Sequence, residues 1–195
     1  MIYIIRHGQT ELNSRGVLQG RSDHALNEKG IAQAKEAAQR LRGIPFSAVW
    51  SSPLVRALQT AEIIAPGLAP NIDDRLTEMD YGPYEGADLK HLPPEVITFF
   101  QDFVHNPAPR GMEPLEAVVR RAGAFMEECC RSEENILIST HAIAMKGILE
   151  YLTPDSVGAY WSKYIGNCEV YITSFQNGRF LVPAKLLSPQ GDELS

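Results

Sequence analysis

The segment Ile2-Tyr3-Ile4-Ile5-Arg6-His7-Gly8 stands at the start of the chain and decides the fold. Its first four residues form a short apolar run, which stops at Arg6 and gives way to a polar loop that extends to His24. A short apolar run followed by a polar loop predicts a buried β-strand. The predicted strand therefore ends beside an arginine and a histidine, and an arginine in that position is costly unless an anion lies near it.

Beyond this strand, short apolar runs alternate with segments of helical periodicity, as is typical of an α/β protein with a parallel sheet. We expect further strands over residues 48–50, 71–72, 135–139, 170–174 and 179–182, the last two joined by a turn at Asn177-Gly178. We expect helices after the N-cap candidate Asn27, from 51–53 to the stop at 65–67, and over residues 95–104, 115–129 and 142–152.

The predicted fold is α/β in three layers, with a mostly parallel sheet between two layers of helices and a small cap from the irregular residues 82–112. A length of 195 residues favours a single domain over residues 1–195, and such a chain buries roughly 70% of its unfolded surface. The three cysteines include the adjacent Cys129 and Cys130, and no C-x-x-C spacing occurs. This pattern predicts reduced thiols and a cytoplasmic location.

The net charge is −6, from 24 acidic and 18 basic residues, and the isoelectric point lies near 5.4. An acidic chain lacks the basic surface that nucleic acids and anionic membranes require, so we expect neither as a partner. Neither a membrane span nor a signal peptide is expected, because the longest apolar runs are too short and residues 1–5 lack a basic flank. The acidic balance also argues, at first, against an anionic substrate.

Two histidines directly follow predicted strands, His7 after the first strand and His141 after residues 135–139. Ligands of open α/β sheets bind beyond the carboxyl ends of the strands, so these two side chains are expected to face one crevice. Arg56 adds a cation in the first turn of a predicted helix, where the helix dipole disfavours positive charge. Arg56 is therefore either a solvated surface residue or, together with the helix N-terminus, part of an anion site.

A series of short motifs connects these residues: Arg6-His7-Gly8 continuing to Asn13, Gln19-Gly20-Arg21, Leu26 to Gly30, Ser51 to Ala61 around Arg56, Leu76 to Gly86 around Glu78, and Ser139-Thr140-His141. In this order the motifs resemble those of the histidine phosphatase superfamily, in its phosphoglycerate-mutase-like branch. The resemblance covers nearly the whole chain, and it implies the three-layer α/β fold of that branch.

The resemblance also implies a mechanism. His7 matches the family's nucleophile, whose neutral imidazole nitrogen attacks phosphorus and forms a phosphohistidine. The phosphate pocket, whose positive charge stabilises the transferring phosphoryl group, is matched by Arg6, Arg56 and His141. Glu78 matches the general acid, which protonates the leaving oxygen and then activates the water that hydrolyses the intermediate.

Four further residues are candidates for contact with the substrate, and three of them match positions of the family. Asn13 corresponds to a donor of the phosphate pocket, and Gln19 and Gly20 correspond to positions that touch substrate in the mutase branch. Arg21 either anchors an acidic substrate or is solvated. We expect no cofactor and no metal, because no metal-ligand spacing supports one and the arginines would repel a cation.

The chain departs from the family pattern at three positions. Ala142 stands where members usually carry glycine, and a left-handed backbone there would cost an alanine about 1 kcal/mol or more. Tyr84 replaces a tryptophan, and Glu113 lies in a disturbed motif and is only a weak site candidate. The remaining histidines are expected to be solvated in loops: His24, His91 and His105.

The leading hypothesis is a phosphatase that hydrolyses small phosphomonoesters. A phosphoglycerate mutase is the main alternative and a non-catalytic phospho-ligand binding module is a third. Mutases of this branch usually carry a longer insertion after the general acid and a longer tail, both of which limit hydrolysis, and this chain is short in both.

The expected partner is one small phosphorylated metabolite, because a local cationic pocket suits a compact anion while the acidic surface still excludes an extended polyanion. The sequence leaves open which metabolite this is, and whether the protein forms a homodimer.

Overall fold

The opening segment forms strand β1 (Ile2–Arg6) inside a six-stranded sheet, as seen in a computed structural model that describes residues 1–186. Four parallel strands stand in the order β3 (Asn71–Ile72), β2 (Ala48–Ser51), β4 (Ile136–Thr140) and β1. The sheet continues through β5 (Val170–Thr173), antiparallel to β1, and ends at β8 (Ala184–Lys185), antiparallel to β5. The mostly parallel sheet predicted from the sequence is therefore confirmed.

Helices cover both faces of the sheet, which gives the three predicted layers. Helices α2 (Glu28–Arg40) and α3 (Val55–Ile64) pack on one face, and α5 (Leu115–Cys129) and α6 (Ala142–Leu152) pack on the other. Two shorter helices, α1 (Glu11–Ser14) and α4 (Pro94–Gln101), lie in the loops that follow β1 and β3. A two-stranded hairpin of β6 (Phe175–Gln176) and β7 (Arg179–Phe180) turns at Asn177-Gly178, as predicted.

Alternating side chains of the central strands supply both halves of the core. Ile4 and its partner Ile138 face α5 and α6, whereas Ile5 and Leu137 face α2 and α3. All four are fully buried, and each such side chain contributes roughly 1.5–3 kcal/mol to stability. Burial on both faces explains why the first strand is continuously apolar rather than alternating.

Several element boundaries differ from the sequence-based expectation. The helix expected from residues 51–53 begins at Val55, because Ser51 still belongs to β2 and the backbone of Leu54 is extended. The helix expected over 95–104 ends at Gln101, because the carboxylate of Asp102 accepts hydrogen bonds from the N–H groups of the following turn. The expected strand over 179–182 is shorter, and β8 was not predicted.

The residues expected to form a cap contain a 3-10 turn at Gly82–Tyr84 and helix α4. Val96 and Phe99 of α4 pack in an apolar cluster with Leu115 at the start of α5 and with Trp161. Backbone hydrogen bonds also pair residues 16–18 with residues 86–89. The cap segment (residues 82–112) is thus fastened to the loop that carries Gln19, Gly20 and Arg21.

Within residues 1–186, no helix is both long enough and apolar enough to cross a membrane.

Candidate active site

The carboxyl ends of β1 and β4 bring His7 and His141 together. Arg6 and Thr140 are register partners in these parallel strands, and each strand is followed directly by one of the histidines. The backbone N–H of His7 donates to the carbonyl of Thr140 at 2.9 Å, and the two imidazole ring centres lie 5.1 Å apart. The structure thus brings the two side chains together at the carboxyl ends of neighbouring strands, as expected.

Arg56 joins the two imidazoles. Its Nε nitrogen lies 3.2 Å from Nε2 of His7 and 3.1 Å from Nδ1 of His141. The single Nε–H is therefore shared between two acceptors. Its two terminal nitrogens donate to the carbonyl oxygens of Ser22 and Gly20 at 2.8 and 2.6 Å. The side chain is 0% exposed, and burial lowers the pKa of Arg56 to about 10, which still leaves it charged at neutral pH. Arg56 is therefore a buried cation and not a solvated surface residue.

The partners of His7 determine its tautomer. Nδ1 lies 2.6 Å from the carbonyl oxygen of Gly8, which can only accept, so Nδ1 carries the hydrogen. Nε2 then bears the lone pair that faces Arg56. Burial and the charges of Arg56 and Arg6 hold the pKa of His7 well below its usual range. His7 is therefore neutral at physiological pH, with its lone pair on Nε2, where it accepts from Arg56.

His141 is also neutral in this arrangement. Its Nδ1 accepts from Arg56, so Nε2 carries the hydrogen and donates to Oγ of Ser52 at 2.8 Å. Burial, Arg56 and His7 all lower the pKa of His141. His141 is also the N-cap residue of α6, with an extended backbone at φ −124° and ψ 176°.

Glu78 lies against the N-terminus of α6. Its carboxylate accepts hydrogen bonds from the N–H groups of Ile143 and Ala144 at 2.9–3.2 Å, and from its neighbour Met79 at 2.9 Å. The residue is only 4% exposed. Unpaired N–H groups and the helix dipole stabilise a negative charge at such a position. Glu78 and His141 are thus placed by the same helix end.

Ala142 lies at the same helix N-terminus, and its backbone conformation shows whether an alanine is strained there. It is the first residue of α6, and it is not among the non-glycine residues with positive φ, which are Val157, Cys168 and Asn177. The strain expected for an alanine in place of glycine is therefore absent, because the position requires an ordinary helical backbone.

The residues predicted near the substrate lie in α1 and in the loop that follows it. Oδ1 of Asn13 accepts from the N–H of Thr10, which forms a capping box at α1. Oε1 of Gln19 accepts from Oγ1 of Thr10 at 2.6 Å. Among the described residues, the buried Nε2 of Gln19 and the buried Nε of Arg6 have no hydrogen-bond partner.

Gly20 and Arg21 take part mainly in contacts within the protein. The N–H of Gly20 donates to the carboxylate of Glu85, its carbonyl accepts from Arg56, and a β-carbon would collide with Glu85 and Met79. Arg21 is half exposed and lies 3.8 Å from Asp80 and 3.6 Å from Glu113. The structure thus gives Arg21 carboxylate partners of its own rather than leaving it fully solvated.

The weak candidate Glu113 is paired with Arg121. Both of its carboxylate oxygens accept from Arg121, at 2.8 and 3.1 Å, and one also accepts from the N–H of Asp80. The remaining histidines are exposed, as expected: His24 is solvated, His91 pairs with Asp88 and His105 pairs with Asp102.

Three residues that carried no role in the sequence-based prediction also lie at the site. Nδ2 of Asn167 donates to the carbonyl of His7 at 3.0 Å. Tyr81 is buried, and burial followed by the charge of Glu78 raises the pKa of its phenol. Lys146 of α6 is buried, and its Nζ donates to the carbonyl of Trp161 at 2.7 Å. Tyr81 lies inside a quoted motif, but sequence patterning offers no signal for Lys146, which falls on a helix face that is otherwise apolar.

The arrangement is suited to an anionic ligand rather than to a metal. It combines a neutral imidazole lone pair, a buried guanidinium and a carboxylate shielded from bulk water. No group of three or more His, Cys, Asp or Glu residues within residues 1–186 is placed to hold a metal ion. A groove of about 840 Å³ runs between α5, the end of α6 and the β6–β7 hairpin, but it is lined by none of His7, Arg56, Glu78 and His141.

Known proteins share both this sequence and this fold. A Hydrogenobacter thermophilus protein, named provisionally as phosphoserine phosphatase 2, is 30% identical over 87% of this chain and 86% of its own length. A Yersinia pestis protein, named provisionally as a phosphoglycerate mutase, is 31% identical over 98% of this chain and 92% of its own. The crystal structure of an Entamoeba histolytica phosphoserine phosphatase in complex with 3-phosphoglyceric acid superposes with a TM-score of 0.85 at 25% identity, covering 96% of this chain and 97% of that one.

The family model described as histidine phosphatase superfamily (branch 1) matches residues 2–185, a span that includes every residue of the site above. The resemblance noted from the motifs is thereby confirmed, and the chain belongs to the histidine phosphatase superfamily.

Proposed function

We propose that this enzyme hydrolyses small phosphomonoesters, with Nε2 of His7 as the nucleophile and Glu78 as the general acid and base. The observation that carries the proposal is the tautomer of His7. Its Nδ1–H is committed to the carbonyl of Gly8, so that a buried, neutral Nε2 lone pair points at the guanidinium of Arg56. A cation beside that lone pair would attract the phosphate group that the nitrogen attacks.

The reaction proceeds in two steps, transfer of the phosphoryl group to His7 and hydrolysis of the phosphohistidine. In the first step a bond forms between Nε2 of His7 and phosphorus, and the bond from phosphorus to the ester oxygen breaks. Glu78, which the substrate dianion beside it favours in its protonated form, gives its proton to that leaving oxygen. In the second step Glu78 takes a proton from water, whose oxygen attacks phosphorus. Phosphate then leaves, and the electron pair of the broken bond returns to Nε2.

The pocket cations balance the charge of the transferring phosphoryl group. Arg56 and Arg6 carry a positive charge at neutral pH, and the unpartnered Nε of Arg6 supplies a donor that a phosphate oxygen can satisfy. His141 is neutral in the free protein, and an approaching dianion favours its protonation. Asn13 and Gln19 supply further donors from the loop side. Gly20 shapes that loop, and Arg21 stands at its exposed edge, where an acidic substrate group competes with Asp80 and Glu113.

A phosphoglycerate mutase remains the second candidate, because relatives named for phosphatase and for mutase activity match this chain at similar identity. The two activities use the same residues and differ in whether water reaches the phosphohistidine. The distinguishing assay supplies 3-phosphoglycerate with and without a bisphosphoglycerate primer. We expect release of inorganic phosphate in both cases, whereas rapid isomerisation without phosphate release would establish the mutase.

The nucleophile is tested with p-nitrophenyl phosphate. We expect His7→Ala to lower kcat/KM by at least about 10³-fold, because the variant lacks the nitrogen that is proposed to attack phosphorus. The matched control is His24→Ala, which removes an exposed histidine and should leave kcat/KM within about twofold of wild type. Equal rates for His7→Ala and wild type would remove His7 from the mechanism. Phosphate binding without turnover by wild type would instead favour the non-catalytic binding module.

The same chemistry supports proposals for the substrate, the domain organisation and the location of the protein. We propose a small phosphorylated metabolite as substrate, a single catalytic domain over residues 1–195, and a cytoplasmic location in keeping with three free thiols. Gel filtration with light scattering would decide between a monomer and the homodimer.

A further inference from the structure

The carboxylate of Glu85, which has no role in the proposed reaction, binds residues 20–22, here called the 20–22 loop. Both of its oxygens accept from the N–H of Gly20, at 2.9 and 3.0 Å. The N–H groups of Arg21 and Ser22 donate to it at 3.3 Å, and the hydroxyl of Ser22 donates at 2.6 Å. Five hydrogen bonds therefore hold three consecutive residues against one side chain.

The carbonyl groups of the same loop bind Arg56. Its two terminal nitrogens donate to the carbonyl oxygens of Gly20 and Ser22 at 2.6 and 2.8 Å, while its Nε–H is shared between the two imidazoles of the site. The backbone of the loop thus connects a carboxylate, which its N–H groups bind, with a guanidinium, which its carbonyls bind. Hydrogen bonds connected in this way polarise and strengthen one another.

The glycine at position 20 permits the close approach of Glu85 to the loop. A β-carbon there would lie 2.6 Å from Oε2 of Glu85 and 2.6 Å from the carbonyl oxygen of Met79. Both distances are too short for non-bonded atoms, so a larger residue would displace the carboxylate or the loop. Gly20 is therefore fitted to this carboxylate as well as to Arg56.

The side chain of Glu85 is not the contact that fastens the cap segment to the loop region. The N–H of Leu18 donates to the carbonyl of Ala87 at 2.8 Å, and the carbonyl of Leu18 accepts from the N–H of Gly86 at 2.9 Å. These bonds join backbone to backbone, so we expect a variant at position 85 to keep the cap segment in place. Its effect then reports on the 20–22 loop itself.

We propose that Glu85 is a positioning residue for Arg56: through the 20–22 loop, its carboxylate fixes the guanidinium at the two imidazoles before the substrate arrives. Donors that are fixed in advance stabilise a transferring phosphoryl group without reorganisation during the reaction. The proposal rests on the role given to Arg56 in the phosphate pocket above.

A purely structural role of Glu85 makes a different prediction. If the carboxylate contributed only to stability, folded Glu85→Gln would keep the wild-type kcat/KM and the wild-type environment of Arg56. Gln keeps the size of the side chain, but its NH2 group cannot accept from the N–H groups of the loop. The matched control is Glu95→Gln, which neutralises an exposed carboxylate of the cap segment that accepts from Tyr84 instead.

The first experiment follows hydrogen exchange at the Nε–H of Arg56 by NMR in the free protein, where contacts with two imidazole rings identify its signal. A buried and hydrogen-bonded N–H exchanges slowly with solvent. We expect exchange to become faster by about tenfold or more in Glu85→Gln, and to stay within about twofold of wild type in Glu95→Gln. A wild-type exchange rate in Glu85→Gln overturns the proposal.

A milder variant covers the case in which Glu85→Gln does not fold. Ser22→Ala removes one hydroxyl donor from the carboxylate and keeps the backbone carbonyl that Arg56 uses. We expect exchange at the Nε–H of Arg56 to become faster by about threefold or more, and an unchanged rate overturns the proposal.

The second experiment is a double-mutant cycle on kcat/KM for p-nitrophenyl phosphate. We expect Glu85→Gln to lower kcat/KM by about tenfold or more, because Arg56 acts on the phosphoryl group whatever the leaving group is. In Arg56→Lys, which lacks the planar fork, adding Glu85→Gln should change kcat/KM by less than about threefold. A tenfold loss in that background as well, or wild-type activity in Glu85→Gln alone, overturns the proposal.

Failure of the proposed function would show separately. Wild-type hydrolysis by His7→Ala would remove the phosphohistidine mechanism, whereas exchange at the Nε–H of Arg56 is measured without substrate and still reports on Glu85.

Discussion

For Arg56 the sequence leaves the role of the side chain open, and the structure decides it. Its place in the first turn of a helix left two interpretations open, solvated surface or anion site. The structure decides between them, because the guanidinium donates to both imidazoles and to the carbonyls of Gly20 and Ser22. Those carbonyls belong to a loop more than 30 positions earlier in the chain, so no local pattern in the sequence contains the contact.

Glu78 provides the sharpest prediction at this scale. As general acid, it matters most when the leaving oxygen is a poor leaving group. We expect Glu78→Gln to lower kcat/KM by about 10²–10⁴-fold for an alkyl phosphate such as phosphoserine. The loss should be much smaller for p-nitrophenyl phosphate, whose leaving group needs no proton. The assay compares both substrates at one pH, and equal losses on the two would contradict the role of proton donor.

Helix α6 is the element that organises the site, since it begins at His141 and binds Glu78 at its first turn. Its start and end were predicted correctly because its apolar periodicity is strong and uninterrupted. The start of α3 was missed by a few residues, because the N–H of Val55 is satisfied by Asp23 from a distant loop. Strand β8 was missed because a two-residue edge strand has too few residues to show alternation.

Ala142 tests how the first turn of α6 is built. Because its backbone is helical rather than left-handed, glycine brings no relief of strain and only adds freedom to the unfolded chain. We expect Ala142→Gly to lower the free energy of unfolding by about 0.5–1 kcal/mol, measured by urea denaturation, with kcat/KM within about twofold of wild type. A gain in stability would show that the residue is strained.

The stability of the whole molecule should depend on pH through the two buried histidines. Both have a lowered pKa in the folded chain, while in the unfolded chain they titrate near the ordinary histidine pKa of 6.5. Below that pH the unfolded state binds protons that the folded state refuses, so the free energy of unfolding falls as the pH falls. Each histidine contributes a slope of about 1.4 kcal/mol per pH unit until its folded pKa is reached.

This dependence is measured by urea unfolding between pH 7.5 and about 5. We expect His7→Asn to show a shallower loss of stability on acidification than wild type, because one of the two groups is gone. The control His91→Asn removes a histidine that is 80% exposed and should keep the wild-type slope. Identical slopes for all three proteins would show that His7 is not held neutral by the fold.

The charge of the molecule as a whole gave a misleading first indication. A net charge of −6 disfavours an anionic ligand only as an average over the surface. Folding gathers Arg6 and Arg56 beside two imidazoles at one end of the sheet, where Glu78 supplies a carboxylate at the start of α6. Motif order could predict this gathering through the family resemblance, but the hydrogen bonds that fix the tautomer of His7 depend on tertiary structure.

The central claim is that the phosphoryl group passes through Nε2 of His7. The most direct test mixes the enzyme with a radiolabelled phosphomonoester, quenches the reaction in alkali, which preserves phosphohistidine, and maps the label by mass spectrometry. The account predicts label on His7 alone, and none on the protein in His7→Asn. Phosphate release without any labelled protein, or label on a different residue such as Ser52, would contradict it.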